Sequence, residues 1–417
     1  MIPSRQHFAK VHSTMTAPTP FLRRPDVIIA AACLIALVTF GARAGFGLYL
    51  EPMSSANGWG REVFAVAIGI QNIMWGLGQP IAGALADRFG TARVLVVGTV
   101  VYILGFLLMS MANTPALLHL SAGILIGIGG AGASFALVMA AVGKTVPDSK
   151  RSMALGIIVA SNSLGQFLLV PMGQAFIMAY GWSTALILTG SLLLAVIPLS
   201  APFARSEAIG GGIQSGQTLA QALREASGHR SYVLLTLGFF VCGYHVAFIQ
   251  THLPAFIQDR GVDAWVGGWA IALVGLFNIV GSLASGWIGG FWSKKNLLSL
   301  IYLARGVVIA VYILLPVTAT STLVFAAAMG LLWLSTVPAT SGLIAVMFGP
   351  RYMATLFGIV FLSHQVGAFL GVWLGGYLYD VMGTYTYVWW SGVGLAFIAA
   401  ILHWPIVERP IERLAPA

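Results

Sequence analysis

An isolated arginine interrupts an apolar segment near the start of the sequence. Arg43, in the stretch TFGARAGFG, is the only charged residue between Asp26 and Glu51. A guanidinium can bind a carboxylate through two parallel hydrogen bonds, which the ammonium group of lysine cannot reproduce. If the segment spans a membrane, an arginine facing lipid costs at least about 2.5 kcal/mol, so we expect Arg43 to face a water-filled cavity and bind an anion. The alternative is a side chain that snorkels to the membrane surface.

Enzymatic motifs do not account for the other polar residues. GIGGAGAS, from Gly127, contains a nucleotide-like glycine pattern, but it lies inside an apolar segment instead of between a strand and a helix. GKT at 143–145 lacks the glycine that a P-loop carries five residues earlier. The eight histidines form no zinc motif, and no acidic residue lies deep in an apolar segment. We therefore predict no enzyme, no metal and no cofactor, and glycines that serve close helix packing.

The elements that must position Arg43 are membrane helices. Of 417 residues, 58% are hydrophobic and 8% are charged, against roughly a quarter charged in soluble domains. With about 20 apolar residues for each span, the sequence predicts an all-α membrane protein with twelve transmembrane helices. We place them at 26–50, 61–86, 93–112, 116–142, 152–176, 183–203, 231–251, 265–290, 297–317, 321–347, 352–379 and 384–406.

Basic side chains are distributed unevenly around these spans. With the N-terminus inside, seventeen of the 21 Lys and Arg residues fall on the inner side, and only Arg61 and Arg260 fall on the outer side. This is the positive-inside pattern, so the net charge of +9 reports topology and requires no nucleic-acid partner. We expect a multi-pass protein of the cell (inner) membrane with both termini in the cytoplasm.

An internal repeat divides the chain into two halves. KRSMALGIIVASNSLGQ, from Lys150, matches PRYMATLFGIVFLSHQVGA, from Pro350, and GALADRFGTAR, from Gly83, matches GWIGGFWSKKN, from Gly286. A polar segment between the halves contains the short amphipathic stretch TLAQALREA. We predict a cytoplasmic tail at 1–25, a six-helix half at 26–203, a cytoplasmic central loop at 204–230, a second six-helix half at 231–406 and a cytoplasmic tail at 407–417.

Twelve spans, a parallel repeat and GALADRFGTAR between spans two and three resemble the major facilitator superfamily over the whole chain. Residues that match the family's G-x-x-x-D-[RK]-x-G-[RK]-[RK] motif are Gly83, Asp87, Arg88, Gly90 and Arg93. The resemblance implies a secondary transporter with two pseudo-symmetric halves that rock about a central site. It also implies that Asp87 is a latch against the start of span eleven, where a helix N-terminus stabilises an acid by about 0.3 to 1 kcal/mol. The second copy has Gly290 in place of the acid, so we expect an asymmetric latch.

A narrower resemblance concerns the start of span two. Trp59, Gly60 and Arg61 are similar to the Trp-small-Arg triplet of the monocarboxylate-porter and oxalate/formate-antiporter branches. Both branches use charged residues in span eight, whereas Asn278 is the main polar group of span eight here. The antiporter signature of drug exporters is incomplete in span five, which reads SLGQFLLVPMGQ.

The family arrangement implies which spans line the central cavity, and their polar side chains are the candidate ligands. We expect the substrate-binding residues to be Arg43, Gln71, Asn72, Asn162, Tyr244, His245 and His364. A hydrogen bond between helices, worth about 0.6 kcal/mol on average, is the alternative role for each uncharged member of this set. The family places span nine at the periphery, so Arg305 is expected to be structural.

The sequence thus predicts a secondary active transporter that moves a small organic anion, most simply a carboxylate, by rocking-type alternating access. Protons and a counter-transported anion are both open as coupled partners, and we expect a monomer in the lipid bilayer. Any pH dependence is expected from His245, His252, His364 or the substrate itself. An exporter of drugs or other toxic solutes is the alternative, favoured by the aromatic candidates Trp75, Tyr244 and Trp333. A non-transporting receptor or channel also fits the composition.

Overall fold

The computed structural model describes residue 22 and residues 24–145, 148–204, 218–349 and 352–411. Within these ranges every regular element is helical. The α-helices are α1 Pro25–Ala44, α2 Leu50–Asn57, α3 Arg61–Phe89, α4 Thr91–Ser110, α5 Pro115–Leu118, α6 Ile126–Gly132, α7 Phe135–Thr145, α8 Asp148–Leu192, α9 Val196–Leu199, α10 Leu219–Gly228, α11 Arg230–Gln258, α12 Ala264–Phe291, α13 Lys294–Leu314, α14 Ala319–Leu332, α15 Thr336–Phe348, α16 Met353–Met382 and α17 Thr386–His403. Most of the predicted N-terminal tail, about half of the predicted central loop and the last part of the C-terminal tail lie outside the described residues.

Ten helical stretches of the described chain are long and apolar enough to cross a membrane. They are Pro25–Asn57, Thr91–Ser110, Pro115–Gly143, Met153–Phe203, Arg230–Gln258, Ala264–Phe291, Lys294–Leu314, Ala319–Phe348, Met353–Met382 and Thr386–His403. A helix satisfies all its backbone groups internally, which is what a lipid environment requires. The protein is therefore an all-α, multi-pass membrane protein, as the composition predicts.

The predicted fourth span, 116–142, is not one continuous helix. It is divided into α5, a π-helical segment at His119–Leu125, α6 and α7. A Cβ on Gly129 would lie 2.5 Å from the backbone nitrogen of Tyr102, and a Cβ on Gly132 would lie 2.8 Å from the Cα of Gly98. The glycine-rich stretch therefore lets α6 pack backbone to backbone on α4, a use of small residues that is common in membrane helices.

The predicted tenth span, 321–347, is also broken, between α14 and α15. Arg305 on α13 is fully buried and donates hydrogen bonds to the carbonyls of Leu332, at 2.6 Å and 3.1 Å, and of Trp333. The last carbonyls of a helix have no intrahelical donor and carry partial negative charge. Arg305 therefore stabilises the end of α14, which is the structural role expected for it.

We describe positions along the helix bundle by the two ends of α3, which we call the Arg61 end and the Asp87 end. Buried apolar residues form two clusters. The larger one contains residues of both predicted halves, from Ala42 to Ile411. The smaller one contains only residues between Ile28 and Phe203 and lies at the Asp87 end, where α1, α4 and α8 begin. The two predicted halves thus share a core towards the Arg61 end, whereas the N-terminal one has its own core at the Asp87 end.

Candidate substrate cavity

A cavity lies between the two predicted halves, where α1, α3, α11 and α16 meet beside the break between α14 and α15. The polar side chains that line it are Arg43, Gln71, Asn72, Gln250, Thr251, His364 and Gln365. Among these lining residues Arg43 alone has a permanent charge, and no Asp or Glu of the described chain joins them. The potential of the cavity is therefore positive, because low-dielectric walls screen the guanidinium weakly.

Two neighbours on α3 hold the guanidinium of Arg43. Its Nη2 donates to the Asn72 Oδ1 at 3.1 Å, and its Cζ lies 4.1 Å from the centre of the Trp75 ring. The Asn72 Nδ2 donates to the carbonyl of Ile68 at 2.8 Å, which turns the Asn72 oxygen towards Arg43. A guanidinium has five N–H donors, so this arrangement leaves donors of Arg43 available to a ligand in the cavity.

Amide side chains connect the predicted halves around the cavity. Gln365 on α16 donates to the Asn72 carbonyl on α3 at 3.0 Å, and Gln250 on α11 donates to the Ala44 carbonyl on α1 at 2.9 Å. Both bonds end on backbone carbonyls, whose positions are fixed by the helices that carry them. The cavity therefore lies at the contact between the halves and not inside either of them.

Aromatic rings separate Arg43 from the Asp87 end. Trp75 on α3 meets Phe361 on α16 edge to face, with ring centres 5.4 Å apart. Both residues lie about one helical turn closer to the Asp87 end than the polar pair of Asn72 and Gln365. Along the boundary between α3 and α16, this aromatic pair therefore lies between Arg43 and the Asp87 end.

Three of the predicted ligands do not line the cavity. Tyr244 shares a hydrogen bond of 2.6 Å with Ser391, and the Nε2 of His245 bonds the Gly392 carbonyl at 2.8 Å, so both side chains face α17. Asn162 is buried on α8 outside the cavity lining. Arg43, Gln71, Asn72 and His364 do line it. Substrate contact remains a prediction for all seven residues.

His252, a candidate for pH dependence, is also held away from the cavity. Its Nδ1 lies 3.1 Å from the Tyr385 hydroxyl and its Nε2 lies 2.8 Å from the Val372 carbonyl. Gln250 and Thr251, by contrast, line the cavity, although neither is among the predicted ligands. The predicted span seven ends at 251, but α11 continues to Gln258, so both residues lie well inside the helix. The sequence has no charged residue between Arg230 and Asp259, and this was the signal for a longer helix.

α3 and α16 are closely packed at the Arg61 end and separate towards the Asp87 end. A Cβ on Gly376 would lie 2.6 Å from the Ala65 Cβ, and one on Gly76 would lie 2.8 Å from the Gln365 Cγ. Gly83 lies seven residues beyond Gly76, on the same face of α3, and a Cβ there would meet nothing within 4 Å. α3 and α16 therefore diverge towards the Asp87 end, which is also the end where the smaller apolar cluster contains residues of the predicted N-terminal half only.

The predicted motif lies at the Asp87 end, where α3 ends and α4 begins. Gly90 ends α3 with φ of +91°, in the left-handed region that favours glycine. Asp87, Arg88 and Arg93 are exposed there. The contact of Asp87 with the start of span eleven, at 352, stays a prediction.

Membrane helices that surround a cavity containing an arginine and several amides are typical of membrane transporters. The family model of the Major Facilitator Superfamily matches residues 32–369, and the chain belongs to this superfamily. The protein is accordingly a transporter of a small-molecule substrate and not an enzyme.

Relatives of known sequence and structure agree with this assignment. Monocarboxylate transporter 13 of Bos taurus is 28% identical, over 86% of this chain and 84% of that protein. Monocarboxylate transporter 11 of Homo sapiens is 26% identical, over 92% and 86%. An uncharacterized MFS-type transporter, YcxA of Bacillus subtilis, is 26% identical, over 85% and 88%. Among solved structures, a bacterial homolog of the human lysosomal transporter Spinster, inward-facing and unoccupied, has the same fold, with a TM-score of 0.73 at 15% identity over 93% of this chain and 97% of that one.

Proposed function

We propose that the protein is a secondary active transporter of a small organic anion, most simply a carboxylate, that binds beside Arg43. One observation carries the proposal: a guanidinium lines the cavity with free donors and forms no ion pair with any described acidic residue. A charge of this kind is costly within a membrane unless it is functional or compensated. A carboxylate would compensate it through two parallel hydrogen bonds.

The surroundings of Arg43 support binding more than snorkelling. Asn72 and Trp75 orient the guanidinium before a ligand arrives, which lowers the entropy lost on binding. A snorkelling side chain would instead extend along its own helix towards the membrane surface. The names of the monocarboxylate transporters among the relatives also favour a carboxylate.

The proposed mechanism is alternating access, in which the two halves rock about the cavity. Shared packing at the Arg61 end and the separation of α3 from α16 towards the Asp87 end support a state that opens at the Asp87 end. The opposite state would need the Arg61 end to open and the Asp87 end to close. Protons or a counter-transported anion would couple this movement to an existing gradient.

We also propose twelve spans in two six-helix halves, at 26–203 and 231–406. α3 has 29 residues, long enough to span, although Gln71, Asn72 and Gln79 make it more polar than its neighbours. The stretch Met153–Phe203 has 51 residues and turns at Gly181, where φ is +77°. A straight helix of that length would extend about 76 Å, more than twice a bilayer core, so it represents two spans. The ten apolar stretches then become twelve.

For orientation, we propose that the Asp87 end faces the cytoplasm together with both termini, in the cell (inner) membrane. The proposal rests on the distribution of Lys and Arg along the sequence. Arg88 and Arg93 lie at the Asp87 end, whereas Arg61 and Arg260 lie at the other end.

Export of drugs or other toxic solutes is the second candidate function. Trp75 and Trp333 give the cavity aromatic walls that suit a flat apolar solute. The absence of Asp and Glu among the described lining residues disfavours a cationic drug, because no opposite charge would stabilise it.

Ligand binding by the purified protein tests the proposed function. We expect carboxylates, and neither sugars nor cationic drugs, to raise the thermal unfolding temperature and to be taken up by liposomes that contain the protein. Arg43→Gln should abolish both effects, and Arg43→Lys should weaken carboxylate binding about tenfold or more. Arg260→Gln, an exposed arginine outside the cavity, is the matched control. Unchanged carboxylate affinity in Arg43→Gln, or stabilisation only by cations or neutral solutes, would show that Arg43 does not bind the substrate.

A further inference from the structure

The cavity combines one cation with walls that are otherwise mostly apolar and aromatic. The Trp75 ring lies beneath the Arg43 guanidinium, and Trp333 and Phe46 line other parts of the cavity. A ligand held by Arg43 therefore has its charged group beside Trp75 and the rest of its body against hydrocarbon. Such walls stabilise apolar surface and leave a second polar group without partners.

Gln250, Gln365 and His364, which line the cavity with Arg43, are already engaged by the protein. Gln365 and Gln250 donate to backbone carbonyls of the facing half. The Nδ1 of His364 bonds the Gln365 Oε1 at 2.9 Å, and its ring stacks on Phe361. A second carboxylate in the ligand would find no permanently charged partner among the described lining residues.

On the basis of the proposed function, we propose that the substrate is a monovalent carboxylate with a flat apolar or aromatic body. Its carboxylate binds the free donors of Arg43, and its body lies against Trp75 and Trp333. Short carboxylates should accordingly bind more weakly, because they leave the apolar walls of the cavity in contact with water. The site also discriminates against dicarboxylates, which bury an unpaired charge.

Matched probes test this substrate class by thermal shift on the purified protein in detergent. The probes are benzoate, acetate, terephthalate and benzamide, which differ in apolar body, in charge or in both. Benzoate should bind about tenfold or more tightly than acetate, because only benzoate buries a ring. Terephthalate should bind at least about tenfold more weakly than benzoate, and benzamide should not bind. Trp333→Leu should weaken benzoate and leave acetate unchanged, with Trp287→Leu, on the exposed face of α12, as the control.

The outcomes separate this inference from the proposed function. If acetate binds as tightly as benzoate and both need Arg43, the transporter carries small carboxylates and the apolar-body inference is wrong. If terephthalate binds as well as benzoate, the monovalent assignment is wrong. If no anion binds at all, the proposed function itself fails.

An independent observation concerns the Arg61 end, where α16 caps α3. The carboxylate of Asp380 accepts hydrogen bonds from the backbone N–H groups of Arg61 and Glu62, both at 2.8 Å. The first N–H groups of a helix have no intrahelical partner and carry partial positive charge. An acid of one half therefore satisfies the helix N-terminus of the other half.

The side chain of Arg61 adds a second contact across the same boundary. It forms a bidentate ion pair with Asp259 at 2.7 Å, donates to the Tyr385 hydroxyl at 2.9 Å and lies over the Tyr379 ring at 3.8 Å. Two parallel hydrogen bonds between a guanidinium and a carboxylate are stronger than hydrogen bonds between neutral groups. They also fix the relative orientation of the two side chains. All three partners of Arg61 belong to the C-terminal half.

The sequence around Asp380 resembles the sequence around Asp87. GALADRFG, from Gly83, and GYLYDVMG, from Gly376, share Gly, Leu, Asp and Gly at the same spacing. In each stretch the final glycine ends its helix with positive φ, +91° at Gly90 and +68° at Gly383. α3 and α16 run in opposite directions, so the two acids lie at opposite ends of the boundary between these helices.

The geometry points to Asp380 as a latch at the Arg61 end, the counterpart of the Asp87 motif at the other end. Asp380 and Arg61 hold the halves together in the state that is closed at the Arg61 end. Opening that end must break the cap and the Arg61–Asp259 pair, whatever the substrate. Residues of this latch therefore control the conformational equilibrium and the transport rate, and they do not contact the substrate.

Hydrogen exchange of the full-length protein in nanodiscs tests the latch, read by mass spectrometry at both ends. Asp380→Ala should increase exchange at residues 61–66 and decrease it at residues 80–90 and 352–360, because one end closes as the other opens. Asp380→Asn should give a smaller change, since asparagine is also a good helix cap. Asp263→Ala, an exposed acid at the same end without a described contact to the N-terminal half, should change neither region. Increased exchange confined to residues 61–66, with a normal transport rate, would identify Asp380 as a helix cap and not a latch.

Discussion

Two arginines lie within the membrane helices, and their surroundings give them different roles. Arg43 reaches a cavity and is held by one hydrogen bond and one aromatic ring. Arg305 is fully buried, and its Nε and Nη2 donate to carbonyls at the end of α14. An arginine thus stabilises the fold at position 305 and offers donors to a ligand at position 43.

Replacement of Arg305 should therefore lower the stability of the protein, whereas replacement of Arg43 should change it little. Arg305→Leu removes the hydrogen bonds to the carbonyls of Leu332 and Trp333, and we expect the free energy of unfolding to fall by about 2 to 4 kcal/mol. Arg43→Gln removes one hydrogen bond at an open site and should cost no more than about 1.5 kcal/mol. Thermal unfolding of the two purified variants measures the difference. An Arg305→Leu variant as stable as the unmodified protein would show that Arg305 has no structural role.

The three histidines predicted to give any pH dependence lie in different surroundings. His364 lines the cavity with Arg43, whereas His245 and His252 bond backbone carbonyls outside it. Of these three, only His364 lies where a change in its charge would act on an anion beside Arg43, so we expect any pH dependence of anion binding to need this residue. Benzenesulfonate, whose own charge does not change near neutral pH, is the appropriate probe. His364→Gln should remove the pH dependence, and His245→Gln should retain it. The reverse result would place the titrating group outside the cavity.

At the scale of helices, glycines determine which surfaces can touch. A Cβ on Gly243 of α11 would lie 1.8 Å from the His364 carbonyl oxygen of α16, so these helices pack backbone to backbone within one half. The contact of Gly376 with Ala65 is similar but joins different halves. In the proposed rocking mechanism, the first kind of contact stays closed and the second opens during transport.

Glycine substitutions within the C-terminal half should accordingly act on stability. Gly243→Ala forces the α11 and α16 backbones apart, and we expect it to lower the free energy of unfolding by about 1 to 3 kcal/mol. Gly358→Ala, on α16 where a Cβ meets nothing within 4 Å, should cost little and is the control. Both are measured by thermal unfolding. Equal stability of the two variants would mean that α11 and α16 can separate at no cost.

For the whole molecule, the distribution of charge predicts an orientation. The apolar helices form a multi-pass bundle, and the basic residues of the sequence concentrate on the side of the Asp87 end. The translocation machinery retains such loops in the cytoplasm, so the Asp87 end should face inward.

Reporter fusions check this orientation in cells. A reporter at Ala417, or within 210–216 of the central loop, should report the cytoplasm, and one inserted at Gly261, at the Arg61 end, should report the outside. Gly261 lies in the short connection between α11 and α12, which makes it a suitable insertion site. An external signal from Ala417 would reverse the proposed orientation.

Much of the architecture followed from the sequence because membrane insertion is a local property. About 20 apolar residues are needed for each span, so composition located most helices to within a few residues. The isolated charge of Arg43 predicts the cavity that the structure contains, whereas the two halves indicated by the repeat stay a prediction. The breaks at 133–134 and between α14 and α15 did not follow, because hydrophobicity carries no information about close backbone contacts or about Arg305 as a partner for carbonyls.

Only the tertiary structure decided which way each polar side chain turns. Asn72 and His364 face the cavity, whereas Tyr244 and His245 face α17, although all four lie within predicted membrane spans. The rotation of a helix about its axis is set by packing against other helices, which the hydrophobicity of a buried segment does not specify. The contact between Asp380 and the start of α3 joins positions more than 300 residues apart, so it exists only once both halves have folded against each other.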